Sequence, residues 1–172
     1  MKDFTWYVAG PWDHKAEVYE LVKKVNAAGW QTCSRWAEPD NTDIDPNAPD
    51  YEEQRRFQAT RDVEDVTGAD GLIYVNSKLS EGKATELGMS MALIRPIIII
   101  GDRRTNIFLS LDMPCFPTIE EALVWLEGDG RYYINWVTAC QEDHFRRLGR
   151  LYGSEDEDED PMALKVGAFV SE

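Results

Sequence analysis

Residues 97–100 read Ile-Ile-Ile-Ile and directly follow Pro96. A run of four isoleucines is apolar on both faces of a strand, which is typical of a central strand in a parallel sheet covered by helices. Three further short segments, residues 4–9, 30–34 and 71–76, are predicted to be strands because apolar, aromatic or β-branched residues dominate them.

Helical periodicity alternates with these strands along the chain. The predicted helices are residues 13–29, 50–67, 83–93 and 118–126, and each lies between or after predicted strands. This alternation predicts a three-layer α/β fold of the flavodoxin or Rossmann type. We expect a parallel sheet of about five strands, with helices on both faces and right-handed crossovers.

The composition changes after Gly130. Apolar residues then recur every three or four positions through Leu151, which predicts one amphipathic C-terminal helix. The six acidic residues 155–160 follow it. We therefore expect an α/β domain over residues 1–128, a helical extension over 129–153 and an acidic, disordered tail over 154–172.

Charge and cysteine content exclude several classes of protein. The 172 residues carry 18 Lys and Arg against 32 Asp and Glu, a net charge of −14, which argues against tight binding to nucleic-acid polymers or anionic membranes. The N-terminus lacks the apolar run of a signal peptide, and no apolar stretch is long enough to span a bilayer. Three widely spaced cysteines and two histidines indicate reduced thiols in a cytoplasmic protein without a structural zinc site.

Ligands of open α/β sheets bind at the carboxyl ends of the strands. One such end is followed by Ala9-Gly10-Pro11-Trp12, and another by residues 76–86. Gly10 and Gly82 would let the backbone approach a ligand closely, and Trp12 can stack on a flat ring. Packing of Trp12 within its own loop is the structural alternative.

Glu86 is the strongest candidate for chemistry. It lies about one turn into the predicted helix 83–93, where the helix dipole is expected to lower its pKa and keep it ionised. A carboxylate in that crevice can attack an anomeric carbon as a covalent nucleophile, or stabilise an oxocarbenium-like transition state. Asp62, on the preceding helix, is expected to orient Glu86 or contact the ligand. The structural alternative for Glu86 is an exposed residue whose negative charge only stabilises the helix N-terminus. The alternative for Asp62 is a surface residue without a role in function.

Three motifs together resemble the nucleoside 2-deoxyribosyltransferase family, which also contains the deoxynucleoside 5′-monophosphate N-glycosidases. They are Tyr7-Val8-Ala9-Gly10-Pro11, Arg61-Asp62-Val63-Glu64-x-Val66-x-x-Ala69-Asp70 and Gly82-x-x-x-Glu86-Leu87-Gly88 with Ala92. Two later segments are similar to phage and bacterial members: Gly101-Asp102-Arg103-Arg104-Thr105-Asn106-Ile107-Phe108 and Phe116-x-Thr118-x-Glu120-Glu121-Ala122-Leu123. The resemblance covers residues 4–127.

The resemblance implies roles for the matched residues. Glu86 matches the catalytic glutamate that forms a glycosyl-enzyme intermediate, and Asp62 matches the aspartate that helps hold substrate and nucleophile. Tyr7 matches a tyrosine that bonds near the nucleophile, and the loop Gly10-Pro11-Trp12 matches the one that touches the base. The implied reaction breaks the N-glycosidic bond of a 2′-deoxynucleoside and passes the sugar to a free nucleobase. The family needs no cofactor or metal, and its members are usually homo-oligomers.

One position departs from the transferase pattern. Ser80 occupies the place where many transferases have an aspartate, and the monophosphate hydrolases have a phosphate-binding serine there. Those hydrolases carry a Gly-rich, Arg-bearing loop after the first strand, whereas residues 10–15 here read Gly-Pro-Trp-Asp-His-Lys, closer to the transferases. Three hypotheses follow: a transferase acting on nucleosides, a hydrolase acting on deoxynucleoside 5′-monophosphates, and a non-catalytic nucleotide-binding module.

Overall fold

A computed structural model of the chain describes residues 4–41, 44–102 and 107–152. The predicted tail at 154–172 lies outside the described residues, as do residues 103–106 of one family motif.

All strands of the described chain belong to one parallel sheet. They are β1 (Thr5–Ala9), β2 (Gln31–Thr32), β3 (Gly71–Asn76), β4 (Ile97–Gly101) and β5 (Cys115–Phe116). Their spatial order is β2-β1-β3-β4-β5, the flavodoxin-type order. The predicted fold class is therefore confirmed.

The isoleucine run lies in the interior of the sheet, as predicted. Ile97 pairs with Leu72 on one side, and Ile99 pairs with Cys115 on the other. All four isoleucines are buried, because helices cover both faces of β4.

The helices form two layers around the sheet. They are α1 (Lys15–Ala27), α2 (Tyr51–Gly68), α3 (Glu81–Ala92), α4 (Ile119–Glu127) and α5 (Gly130–Tyr152). The α1 helix packs against α4, whereas α2 packs against α3. Right-handed crossovers on this strand order put α1 on one face and α2 and α3 on the other, and α4, which follows the last strand, joins α1.

Several element ends differ from those predicted. The second strand is only two residues long. Beyond Thr32, the backbone N–H of Val8 donates to the side-chain Oγ of Ser34 at 2.6 Å instead of to a backbone carbonyl of β2. Thr118 precedes α4 and caps it, accepting from the backbone N–H of Glu121 at 3.3 Å. Asp50 precedes α2, but its side chain makes no capping bond.

The predicted C-terminal helix is present as α5 and is fastened to the domain. The Tyr133 hydroxyl accepts from the backbone N–H of Ile97 and donates to its carbonyl, each at 3.1 Å. Gln141 donates to the carbonyl of Leu93 at 2.7 Å. The predicted apolar stripe is only partly buried, because Trp136 and Cys140 point away from this contact and are exposed.

Candidate active site

The strand order creates a crevice between β1 and β3. From β1 the chain crosses to β2 on one side, whereas from β3 it crosses to β4 on the other. Loops leaving two such strands diverge, so ligands of open α/β sheets bind at this point. Residues 10–14 follow β1 here, and residues 77–80 lead from β3 into α3.

Tyr7 and Glu86 meet beneath this crevice. Tyr7 has no exposed surface, and its hydroxyl donates a hydrogen bond to Oε1 of Glu86 at 2.7 Å. The register pairs Tyr7 with Leu72 and Ala9 with Tyr74, so these side chains share the face of the sheet covered by α3. The other carboxylate oxygen, Oε2 of Glu86, is buried without a hydrogen-bond partner among the described residues.

Burial dominates the ionisation of Glu86. It raises the pKa of the carboxyl group to about 7, and the negative charge of Asp62 acts in the same direction. The hydrogen bond from Tyr7 and the positive charge of Lys83 lower the pKa but do not compensate. The expectation that the helix dipole would lower this pKa is therefore wrong, because loss of solvent outweighs a dipole acting from more than a turn away.

Asp62 lies on α2, the helix that packs against α3. It is half-buried, and burial raises the pKa of its carboxyl group to about 6, with a further contribution from the charge of Asp65. Arg61 and Arg35 oppose that rise. Arg35 binds Asp65 directly, with Nε donating to Oδ1 at 2.7 Å. Two carboxyl groups with raised pKa values thus belong to one region, an arrangement common at functional sites.

The loop after β1 has a fixed shape. Gly10 is buried, and a Cβ there would overlap the side chain of Val18, so the turn requires glycine. Ala9 and Pro11 are also buried and shape the turn rather than present side chains to solvent. Trp12 is 41% exposed and stacks on Trp36, with ring centroids 6.1 Å apart.

An open cleft of about 700 Å³ lies beside this loop. Trp12 and Ile44 line it opposite one face of α2, whose lining residues are Tyr51, Glu52, Arg55, Arg56, Gln58, Ala59 and Asp62. Its volume suits a small molecule with a ring system. The cleft reaches Asp62, whereas Glu86 is not among its lining residues.

Ser80 and Gly82 are placed at the start of α3. The Oγ of Ser80 caps the helix by accepting from the backbone N–H of Lys83 at 3.5 Å, which is a weak bond. A Cβ at Gly82 would come no nearer to another atom than 3.9 Å, at the Oγ of Ser80. Packing therefore does not require glycine at position 82.

Sequence reasoning missed Lys83. A lysine in the first turn of a helix is usually solvated, yet this one is 1% exposed. The available signal was its position three residues before Glu86, which places both side chains on one face of the helix.

None of the described helices is long and apolar enough to cross a membrane. No group of three or more His, Cys, Asp or Glu residues among those described could hold a metal ion.

Comparison with known proteins identifies the family of this chain. No curated protein was found to match the chain. One similar solved structure is a 2-deoxyribosyltransferase from the psychrotolerant bacterium Bacillus psychrosaccharolyticus, with 19% sequence identity and a TM-score of 0.50 over 69% of this chain and 90% of that one. This likeness concerns the fold. The family model for nucleoside 2-deoxyribosyltransferase matches residues 6–146, which includes most of α5. The chain therefore belongs to the nucleoside 2-deoxyribosyltransferase family.

Proposed function

We propose that the protein is a nucleoside 2-deoxyribosyltransferase, which cleaves the N-glycosidic bond of a 2′-deoxynucleoside and transfers the deoxyribosyl group to another nucleobase. The 2.7 Å hydrogen bond between Tyr7 and Glu86 carries this proposal. The bond holds Oε1 of Glu86, while the other carboxylate oxygen, Oε2, has no hydrogen-bond partner among the described residues. In a chain of this family, such an oriented carboxylate supports a role for Glu86 as the nucleophile. Its partners would be small molecules, a nucleoside and a free base.

In the proposed reaction Glu86 is the nucleophile. Oε2 attacks C1′ of the sugar, the bond from C1′ to the base nitrogen breaks, and its electron pair leaves with the base. The product is a glycosyl ester of Glu86. A nitrogen of the second base then attacks C1′, and the ester oxygen leaves as the restored carboxylate.

The departing base takes up a proton and the incoming base gives one up when its nitrogen attacks C1′, so protons balance over the exchange. Asp62 lines the cleft, and we assign to it the orientation of Glu86 or a contact with the ligand. The like charges of Asp62 and Glu86 disfavour ionisation of both groups together. Because the pKa of Asp62, about 6, lies below that of Glu86, about 7, Asp62 loses its proton first, and Glu86 becomes the ionised nucleophile as pH rises through about 7. The hydrogen bond from Tyr7 stabilises the ionised form of Glu86.

The loop after β1 is suited to hold the base. The indole of Trp12 is supported from behind by Trp36 and is still partly exposed. Such an aromatic face binds nucleobases with little regard to their identity, as exchange between bases requires.

The test is base exchange. The protein is incubated with a deoxynucleoside and a different free base, and the new nucleoside is detected by chromatography. We expect exchange by the wild type and loss of at least about a thousandfold in Glu86→Gln, since the amide is not a nucleophile. Glu81→Gln, an exposed glutamate on the same helix, is the matched control and should retain activity. No exchange by the wild type with any purine or pyrimidine would refute the proposal.

A second candidate is a deoxynucleoside 5′-monophosphate N-glycosidase. The observation in its favour is that Arg55 and Arg56 line the cleft that reaches Asp62, since guanidinium groups bind phosphate. This enzyme would release free base and deoxyribose 5-phosphate from a nucleotide, with little turnover of the nucleoside. The reverse preference would eliminate it.

The non-catalytic alternative expects Glu86→Ala to leave biological activity intact, and a crevice in which Tyr7 and Glu86 lie far apart would favour it. Their hydrogen bond is the opposite arrangement and disfavours this alternative. Assembly into a homo-oligomer and a cytoplasmic location stay predictions from the resemblance and from cysteine content.

A further inference from the structure

Lys83 is a buried cation at the end of the central strand. Its ammonium group donates to the backbone carbonyl of Val75 at 3.0 Å and to that of Lys78. The same nitrogen lies 4.7 Å from the centre of the Tyr74 ring, within the range of a cation–π interaction. These contacts join the end of β3 to the segment that enters α3.

The contacts account for the burial of this charge. Burying an ammonium group is costly unless hydrogen bonds replace its hydration. Two carbonyls and one aromatic face supply that replacement for Lys83. Burial still lowers the pKa of Lys83, and the negative charge of Glu86 acts against that decrease.

Glu86 is faced by titratable groups from three elements. Tyr7 approaches from β1, Asp62 from α2, and Lys83 from the preceding turn of α3. Among these groups Lys83 is the cation, and its positive charge lowers the pKa of Glu86, whereas burial and the charge of Asp62 raise it.

We propose that Lys83 is a positioning residue for the nucleophile. Its buried ammonium fixes the turn from which α3 starts. It also places a positive charge three residues before Glu86 on the same face of α3, where it favours the ionised carboxylate. The inference rests on the proposed role of Glu86, but its electrostatic part can be measured without substrate.

The experiment compares Lys83→Met, Lys83→Gln and Lys83→Arg with the wild type. Methionine keeps most of the apolar stem and removes the charge, glutamine removes the charge and keeps a donor, and arginine keeps the charge. Lys23→Met is the matched control, because it removes an exposed lysine from α1. The titration of the Glu86 carboxyl is followed by NMR on protein with ¹³C-labelled glutamate, the signal being assigned with Glu86→Gln.

We expect the Glu86 titration midpoint to move to higher pH in Lys83→Met and Lys83→Gln, and to stay near the wild-type value in Lys83→Arg and Lys23→Met. In base exchange, kcat/KM should fall about three- to tenfold more on the acidic limb than at high pH, because loss of the charge adds to the loss of the contacts that fix the turn. A purely structural lysine would instead lower activity equally at all pH values.

An unchanged Glu86 midpoint in the neutral variants would overturn the inference. Lys83→Gln supplies the comparison if Lys83→Met does not fold, and circular dichroism identifies that case. If the wild type exchanges no bases while the midpoint moves as expected, the proposed function fails and the electrostatic role of Lys83 stands.

Discussion

The hydroxyl of Tyr7 lies 2.7 Å from Oε1 of Glu86, although the two residues are 79 positions apart in the sequence. One comes from the first strand of the sheet and the other from the helix after the third strand. Adjacent strands with diverging loops bring them together, so the site is a product of strand order. The bond orients the carboxylate and favours its ionised form.

Tyr7→Phe tests this relationship. Loss of a hydrogen bond to a charged group costs about 1.5–3 kcal/mol, so we expect kcat/KM for base exchange to fall about 10- to 100-fold. The Glu86 pKa should rise, which moves the acidic limb of the pH profile upward.

Tyr133→Phe is the control for that substitution. Its hydroxyl bonds to the backbone of Ile97 at the start of β4, and its loss should reduce stability without moving the pH profile. Equal pH profiles for Tyr7→Phe and the wild type would contradict the role given to Tyr7.

The second prediction concerns pH. Activity needs ionised Glu86, so kcat/KM should rise with pH through about 7. Stability should change in the opposite direction. The pKa of Glu86 is raised from 4.5 to about 7 on folding, so between these values the folded state binds more protons than the unfolded state. The contribution of Glu86 to stability is therefore full below pH 4.5 and is lost as pH rises through 7.

Glu86→Gln separates this effect from all others, because glutamine does not titrate. The variant should resemble the wild type at pH 4.5 and be more stable at pH 8, by up to about 3 kcal/mol. Urea unfolding of both proteins at the two pH values measures the difference. A wild type as stable as the variant at pH 8 would show that burial of this carboxylate is not costly.

The sequence predicts the sheet well because its signals are local. The isoleucines at 97–100 and the alternation of strands and helices each report burial directly. Contacts between residues far apart in the sequence leave no local signal. That Tyr7, Asp62 and Glu86 belong to one site was therefore predicted only from the family resemblance and from the ends of the predicted strands.

The failures have physical causes as well. The predicted decrease in the pKa of Glu86 was wrong, because the sequence shows where the helix starts but not that the carboxyl group is buried away from solvent. Lys83 was missed because the compensation for its burial comes from two backbone carbonyls. Ser34 replaces part of a strand through its side chain, which shortened β2 relative to the predicted segment.

Two glycines that look alike in the sequence should respond differently to alanine. In Gly10→Ala the new Cβ overlaps Val18, so we expect a loss of about 1–3 kcal/mol in the free energy of unfolding. In Gly82→Ala the nearest atom is 3.9 Å away and the position is helical, so we expect a gain of about 0.5–1 kcal/mol. Chemical denaturation of both variants measures these changes.

The double variant Gly10→Ala with Val18→Ala identifies the cause of the first loss. Removing the Val18 methyl groups removes the overlap, so the two changes should together cost less than the sum of their separate effects. If the losses of unfolding free energy in the two single variants simply add in the double variant, the overlap with Val18 is not the reason that position 10 requires glycine.

The last prediction concerns Trp12. Its indole is 41% exposed and stacks on Trp36, so Trp12→Ala should cost little stability but remove the stacking surface for the base. Base stacking on an aromatic side chain contributes about 1–3 kcal/mol, which corresponds to an increase in KM of about 5- to 150-fold. If this surface acts only in binding, kcat should change much less than KM. Trp136→Ala, which removes an exposed tryptophan from α5, is the matched control and should leave KM unchanged. A drop confined to kcat would indicate that Trp12 acts on the reacting bond rather than on base binding.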